Sequence, residues 1–283
     1  MAAAAGRGAR ARRERHLNFR ARRTQFCGAL LCLSLVASPL PARADICKLS
    51  GGESLFAAHA EEPRTIVTQT KSFALAGIAP PSLLDERLPD AAMLAAINNL
   101  LASSTARAVA LSEKPDRWNR IPVWIISDAA FLQEELLRQG LAVAVPFAGD
   151  GLGETCATRL FAAEEEARKA GRGIWKTPGL VRQAKDVKAL SSQYGRYGIV
   201  EGTIISVGDR PYRTYLNFGR DWSHDFTAEI DGRDVAVFGG EQQLLGLVGK
   251  TVRLRGFLDE KGGPMLLLRR SSQLEMMDAL QHR

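Results

Sequence analysis

The chain has 283 residues, 46% hydrophobic and 24% charged, a balance that excludes a disordered or a membrane-embedded protein. Its formal net charge of +7 invites a nucleic-acid-binding reading until the charges are located. Residues 1–44 hold nine Arg and one Glu, whereas residues 45–283 hold 29 Lys and Arg against 30 Asp and Glu. The basicity belongs to the N-terminal stretch.

That stretch, 1–44, reads as a signal peptide. Arg7 to Arg23 form a basic region, CGALLCLSLVASPL (27–40) an apolar one, and Ala42-Arg43-Ala44 the small-x-small pattern of a cleavage site. The apolar run is shorter than the roughly 20 residues a membrane-spanning helix needs. Export to the periplasm or beyond is expected, with no membrane span after cleavage. The mature chain then keeps two cysteines, Cys47 and Cys156. An even pair in an oxidising compartment favours a disulfide, and two separate buried thiols are the alternative.

Two β-type runs follow, RTIVTQT (64–70) and SFALAGI (72–78), the second running into Pro80-Pro81. Residues 89–102 carry the helical period, with Asp90 near the start and Met93, Leu94, Ile97, Leu100 and Leu101 on the apolar face. RAVALSE (107–113) and IPVWIIS (121–127) form another strand pair. FLQEELLRQG (131–140) reads as a short helix stopped by Gly140, and 156–173 as a third helix whose Glu164–Glu166 face is expected in solvent. The polar stretch 181–195 reads as a linker. After it, GIVEGTIISV, RTYLNF, DFTAEI and DVAVF are expected strands, EQQLLGLV a helix, and TVRLRGFL and PMLLLRR a hairpin about Lys261-Gly262-Gly263. This order suits a small OB-type barrel over 196–283, with an SH3-like barrel as the alternative.

Four stretches of the first half carry a resemblance: FALAGIAPP (73–81), DRWNR (116–120), LQEELLRQGLAVAVP (132–146) and RLFAAEEEARKAGRGIW (159–175). In this order they resemble the staphylococcal nuclease (thermonuclease) family. The resemblance covers about 55–178 and implies an α+β domain over 45–180, an OB barrel with three helices, followed by the mainly β OB-type barrel. It also implies a calcium-dependent cleavage of phosphodiesters, in which carboxylates hold the metal and activate water while two guanidinium groups hold the phosphate.

Matched residue by residue, the family's metal-binding acids fall on Arg64 and Ala79, its catalytic Glu on Ser82 and its first phosphate-binding Arg on Ala74. Its second Arg is retained at Arg120, beside Trp118. No catalytic residue, metal or cofactor is therefore expected, and the chain is expected to be an inactive relative. A divergent nuclease that holds Ca²⁺ with displaced carboxylates, Glu61-Glu62 or Asp85-Glu86, is the alternative. His59 and His224 are isolated and show no zinc-type spacing.

In the second barrel Arg210, Tyr212, Arg213, Tyr215, Phe218, Arg220, Trp222 and Phe226 interleave basic and aromatic residues. Such a face suits bases that stack while Arg contacts the backbone. Arg213, Tyr215, Arg220 and Trp222, with Arg120 and Trp118 of the first domain, are the candidate binding residues. Arg253 and Arg255 add to one face of a later strand. Against this, alternating aromatics in a small barrel fill its core. The expected role is binding of single-stranded nucleic acid or an envelope protein. A structural protein that binds no nucleic acid is the further alternative.

Overall fold

Short runs of β-branched and aromatic residues, broken by Gly and Pro, make short strands here. The computed structural model describes residues 51–102, 105–127, 131–146, 152–221 and 223–277. The leader, Cys47 and Trp222 lie outside the described residues. The described residues belong to one unit, Ala44–Arg283.

The first half contains β1 (Glu53–Ser54), β2 (His59–Glu62), β3 (Thr65–Val67), β4 (Ser72–Leu75), β5 (Ile78–Ala79), α1 (Ala91–Ala102), β6 (Arg107–Ala110) and β7 (Ile121–Ile126). After these come α2 (Leu132–Arg138), β8 (Val143–Ala144) and α3 (Leu152–Lys169). The main sheet runs β1-β6-β7-β4-β3-β2, and β5 pairs with β8. Because β1 and β2 are two ends of one segment on opposite edges, the sheet curls into a half-barrel. Strand β4 lies parallel to β7, with Phe73 opposite Ile121, and α1 fills the connection between β4 and β6. Helix α1 buries Met93, Ile97 and Leu101 at helical spacing, against Ile66, Phe73 and Ile125 of the sheet. Leu94 and Leu100 pack on the margin of this core.

The second half contains β9 (Val181–Gln183), α4 (Val187–Ser191), β10 (Tyr197–Thr203), β11 (Ser206–Arg210), β12 (Arg213–Asn217), β13 (Thr227–Asp231), α5 (Glu241–Leu245), β14 (Thr251–Lys261), β15 (Gly263–Leu268) and β16 (Leu274–Met276). Its strands run β11-β12-β13-β15-β14-β10-β9, with β16 on β14. Strands β10 and β11 are again two halves of one segment, and β13 lies parallel to β15, with Thr227 opposite Met265. Both halves thus follow one path: a bent strand, two antiparallel strands, a helical connection and a hairpin whose second strand returns parallel to the third. The architecture is mixed α+β followed by a mainly β unit, as expected.

Two local expectations differ. The stretch 181–195 is no loose linker: Val181–Gln183 adds a parallel edge strand to β10, and Asp186 caps α4 by accepting from the Ala189 N–H. DVAVF is not a strand. Asp231 caps a 3₁₀ turn over Gly232–Phe238 that ends on Gly239 at φ 85°.

The largest departure lies where the halves meet. Leu84, Val143, Ala167 and Trp175 of the first pack with Leu180, Tyr197 and Ile199 of the second. Beside them sit Arg253 and Arg255 of β14, expected on a binding face, and Glu164 and Glu165 of α3, expected in solvent. All four are buried. The Arg255 Nη1 donates to Glu164 Oε2 at 2.8 Å and to the Ala144 carbonyl at 2.9 Å, while its Nη2 donates to Glu275 Oε1 at 2.5 Å. The Arg253 Nη1 donates to Glu165 Oε2 at 2.8 Å and its Nε to Glu201 Oε1 at 2.8 Å. The outward face of β14 is covered by α3, so charges that alternate like a solvent face became an interior network. Only Glu166 of the acidic triplet stays exposed.

Candidate functional site

The hairpin turn Pro63-Arg64 joins β2 to β3, and the Arg64 carbonyl accepts from the Leu75 N–H at 2.9 Å, which fixes the turn against β4. Nearby, 116–120 closes on itself. The Asp116 N–H donates to the Arg120 carbonyl at 2.8 Å, and Asn119 takes the left-handed conformation at φ 59°, which Asn tolerates. These two turns line one cleft of about 560 Å³ with Glu61, Glu62, Arg64, Thr65, Trp118 and Arg120.

Arg120 is committed inside this cleft. Its Nε and Nη2 donate to Asp116 Oδ2 at 3.0 and 2.8 Å, and its Nη1 donates to Thr65 Oγ1 at 2.8 Å. The other oxygen of Asp116 accepts the Trp118 and Arg120 N–H groups, each at 2.9 Å. Burial alone would raise the Asp116 carboxyl, but the bonds from Arg120 and Trp118 outweigh it and hold it below the usual carboxylate range. Trp118 is 60% exposed, with the Arg117 guanidinium 3.9 Å and that of Arg120 4.9 Å from the ring centre. Sequence reasoning missed Arg117 and Thr65; the Arg-Trp-Asn-Arg spacing was the one available signal.

Of the other matched positions, Ala74 and Ala79 sit on strands and Ser82 in a 3₁₀ turn. Ala74 faces Thr65 across the β3–β4 ladder and is buried. Ala79 pairs with Val143 in the β5–β8 ladder and has no exposed surface at all. Ser82 opens a 3₁₀ turn after Pro81, where its N–H and Oγ both donate to Asp90, at 2.9 and 2.6 Å. The displaced carboxylates have partners of their own. Asp85 accepts three times from Arg87, from its N–H and Nε at 3.0 Å each and its Nη2 at 2.6 Å, and Glu86 accepts from Arg196 of the second half at 3.0 Å. Among the described residues no group of three or more His, Cys, Asp or Glu is placed to hold a metal ion.

The second half divides its interleaved residues between core and surface. Phe218 and Phe226 are buried with ring centres 5.0 Å apart. Arg213 donates to Glu229 at 2.5 Å, and Lys261 to the same carboxylate at 2.7 Å, so that two cations share one acid. Tyr215 lines a groove of about 330 Å³ with Arg210, Asn217, Lys261 and Met265. Arg220 and Tyr212 are exposed. Arg213 and Tyr215 stand two residues apart on β12, with Glu229 opposite Tyr215 in the ladder. Cys156 is buried in the first core, and its expected partner Cys47 lies outside the described residues. No helix among the described residues is long and apolar enough to cross a membrane.

Comparison with known proteins places the first half. No curated protein matches the chain. The model of the family described as Staphylococcal nuclease homologue matches residues 92–177, from α1 through α3 to the 3₁₀ turn at Gly173–Lys176. That span begins downstream of the Arg64 and Ala79 turns and includes the Asp116–Arg120 loop. Residues 92–177 are thus similar to the staphylococcal nuclease homologue family.

Proposed function

We propose that this chain is an exported binding protein in which a nuclease fold is kept as a scaffold and no longer cleaves. The observation that carries the reading is the chemistry at the four matched positions: a guanidinium at Arg64, methyl groups at buried Ala74 and Ala79, and a hydroxyl at Ser82 already bonded to Asp90. A calcium ion needs six to eight oxygen ligands, several of them carboxylates. The residues here do not fit one, because Arg64 adds positive charge and Ala79 offers no donor. The carboxylates of Asp85 and Glu86 are held by Arg87 and Arg196 and point to structural roles.

The second barrel is read as an OB-type module whose groove beside Tyr215 and Met265 receives a ligand. Single-stranded nucleic acid is the first candidate, since an aromatic ring beside Arg210 suits a stacked base. An envelope protein is the second, favoured by the neutralisation of Arg213 and Lys261 through Glu229. The Cys47–Cys156 bridge belongs to the same proposal, supported by the leader and by the burial of Cys156.

Incubation of the purified chain with single- and double-stranded DNA and RNA, in Ca²⁺, Mg²⁺ or chelator, tests the reading. No cleavage above buffer is expected. Metal-dependent cleavage lost in Glu61→Ala/Glu62→Ala or Asp85→Ala/Glu86→Ala would establish a rebuilt nuclease site instead.

A further inference from the structure

Two sheet edges of this chain are treated differently. Strand β2 ends the first sheet, and Asn98 of α1 blocks it: the Ala60 N–H donates to Asn98 Oδ1 at 2.8 Å, and Asn98 Nδ2 donates to the Ala60 carbonyl at 3.2 Å. An uncovered edge invites another strand, and such blocking prevents it. Strand β11 ends the second sheet, and among the described residues it is paired with β12 alone. The two-residue turn Pro211-Tyr212 closes that hairpin on the pair Arg210–Arg213. Arg210, Gly208 and Ser206 therefore spend their backbone groups on β12, and the N–H and C=O groups of Val207 and Asp209 turn to the free side.

Gly208 stands at the middle of this edge. Gly202 and Gly263, also in strands, are required by packing: a Cβ would lie 2.5 Å from the Ala184 Cβ at the first and 2.4 Å from the His224 carbonyl oxygen at the second. At Gly208 the φ is not positive, and a Cβ would have its nearest neighbours at 3.6 Å (Asn217 Nδ2) and 3.8 Å (Tyr215 Cβ). Neither backbone nor packing calls for glycine here, although glycine weakens a strand interior. The missing side chain instead opens the groove of about 330 Å³ toward Tyr215 and Met265. Arg210 shares this face, exposed and with no ion pair among the described residues. Around the groove Arg213 and Lys261 share Glu229, which leaves the unmatched cation at Arg210.

We infer that the free edge of β11 receives an extended segment of a partner protein as an added strand, with an apolar side chain over Gly208 against Tyr215 and a carboxylate, two residues away, on Arg210. The inference rests on the binding-protein reading above and takes the protein as the ligand. Main-chain pairing gives such a complex its affinity, and pockets for alternate side chains give it selectivity. The acids Asp225 and Glu229 beside the groove oppose the phosphates of a nucleic acid, whereas a peptide brings a neutral main chain.

Fluorescence anisotropy of the full chain with the labelled peptide Thr-Glu-Val-Phe-Val-Glu-Thr tests this. Its phenylalanine falls opposite Gly208 and a glutamate opposite Arg210 in either strand direction. Saturable binding to the native chain is expected, at least tenfold weaker for a copy N-methylated at both valines and the phenylalanine. Gly208→Val is expected to weaken binding at least tenfold, while the unliganded variant melts no lower than the native chain. Arg210→Glu is expected to reverse the preference for this peptide over one with lysines in place of the glutamates. No binding to the native chain, or equal binding of the N-methylated copy, overturns the inference whether or not any variant folds. An affinity unchanged in Gly208→Val does the same. Tighter binding of decathymidylate than of the peptide, lost in Gly208→Val, overturns it in favour of a nucleic acid. Concentration-dependent dimers in sedimentation, lost in the same variant, overturn it in favour of a second copy of this chain. The cleavage assay reads separately: no peptide binding with no cleavage sinks this inference alone, whereas metal-dependent cleavage sinks the non-cleaving reading.

Discussion

Arg64, half-buried with its Nε unpartnered, and fully buried Arg255 show how differently two guanidinium groups can be treated. Arg255 has no exposed surface, yet it meets Glu164, Glu275 and the Ala144 carbonyl, and stacks 4.4 Å over Phe161. The neighbouring acids Glu164 and Glu165 of α3 respond in opposite directions. Complete burial pushes the Glu164 carboxyl up against the pull of Arg255, whereas at Glu165 the bonds and charges of Arg168 and Arg253 outweigh burial and hold it low. For Glu165 the unfolded chain takes up a proton first as pH falls, so its contribution is complete above its ordinary value of 4.5 and is lost on acidification through the lower folded value. Glu164 has the reverse sign and offsets part of this loss. The urea midpoint is therefore expected to drop less between pH 7 and pH 4 in Glu165→Gln than in the native chain. Parallel drops in the two proteins would count against a lowered Glu165.

At the scale of elements, short strands are held in register by what packs beside them. Helix α2 ends at Gly140 (φ 69°), and α3 is followed by a turn through Gly171 (φ 58°) and Gly173 (φ 52°). The Ile174 N–H donates to the Gly140 carbonyl at 2.9 Å, so the two chain reversals touch backbone to backbone. A Cβ on Gly140 would stand 2.3 Å from the Arg172 carbonyl oxygen, in a conformation that side chains rarely adopt. Gly140→Ala is expected to cost about 2–3 kcal/mol, combining backbone strain with overpacking. Urea unfolding measures it, and a cost below about 0.5 kcal/mol would mean that the two turns separate freely. The helix stop at Gly140 was legible in the sequence as a chain terminator; the approach of Arg172 and Gly173, some thirty residues away, was not.

At the scale of the whole molecule, the two halves share an apolar cluster and a network of buried ions, with β9 and α4 where a linker was expected. Domains separated by linkers move and melt independently by default. Here separation would expose Tyr197 and Trp175 and strand Arg253 and Arg255 away from α3. Removing one partner of a buried ion pair costs about 3–5 kcal/mol. One unfolding transition is therefore expected by calorimetry, with the van't Hoff enthalpy equal to the calorimetric one. Two resolved transitions would show that the interface contributes little.

Local chemistry settled much of this in advance. Alternating apolar runs marked β3, β4, β6, β7 and β12 to β15. The spacing of four between Met93, Ile97 and Leu101 marked α1, and three of the four stretches that carried the resemblance lie within the family match over 92–177. Side-chain identity at Ala74, Ala79 and Ser82 was equally plain, because a methyl or hydroxyl group cannot serve as a carboxylate in any fold. Partnership was not legible. Arg253 and Arg255 alternate along β14 as solvent-facing residues do, and Glu164–Glu166 read as an exposed helix edge. Only docking of α3 onto β14 turned both into an interior network. Likewise, nothing in the sequence told that Asp116 would bond to Arg120 and its own loop, leaving the Arg64 Nε without a partner. Periodicity and chemical type act between neighbours along the chain, whereas charge pairing and desolvation depend on which surfaces meet, and that is decided by tertiary structure.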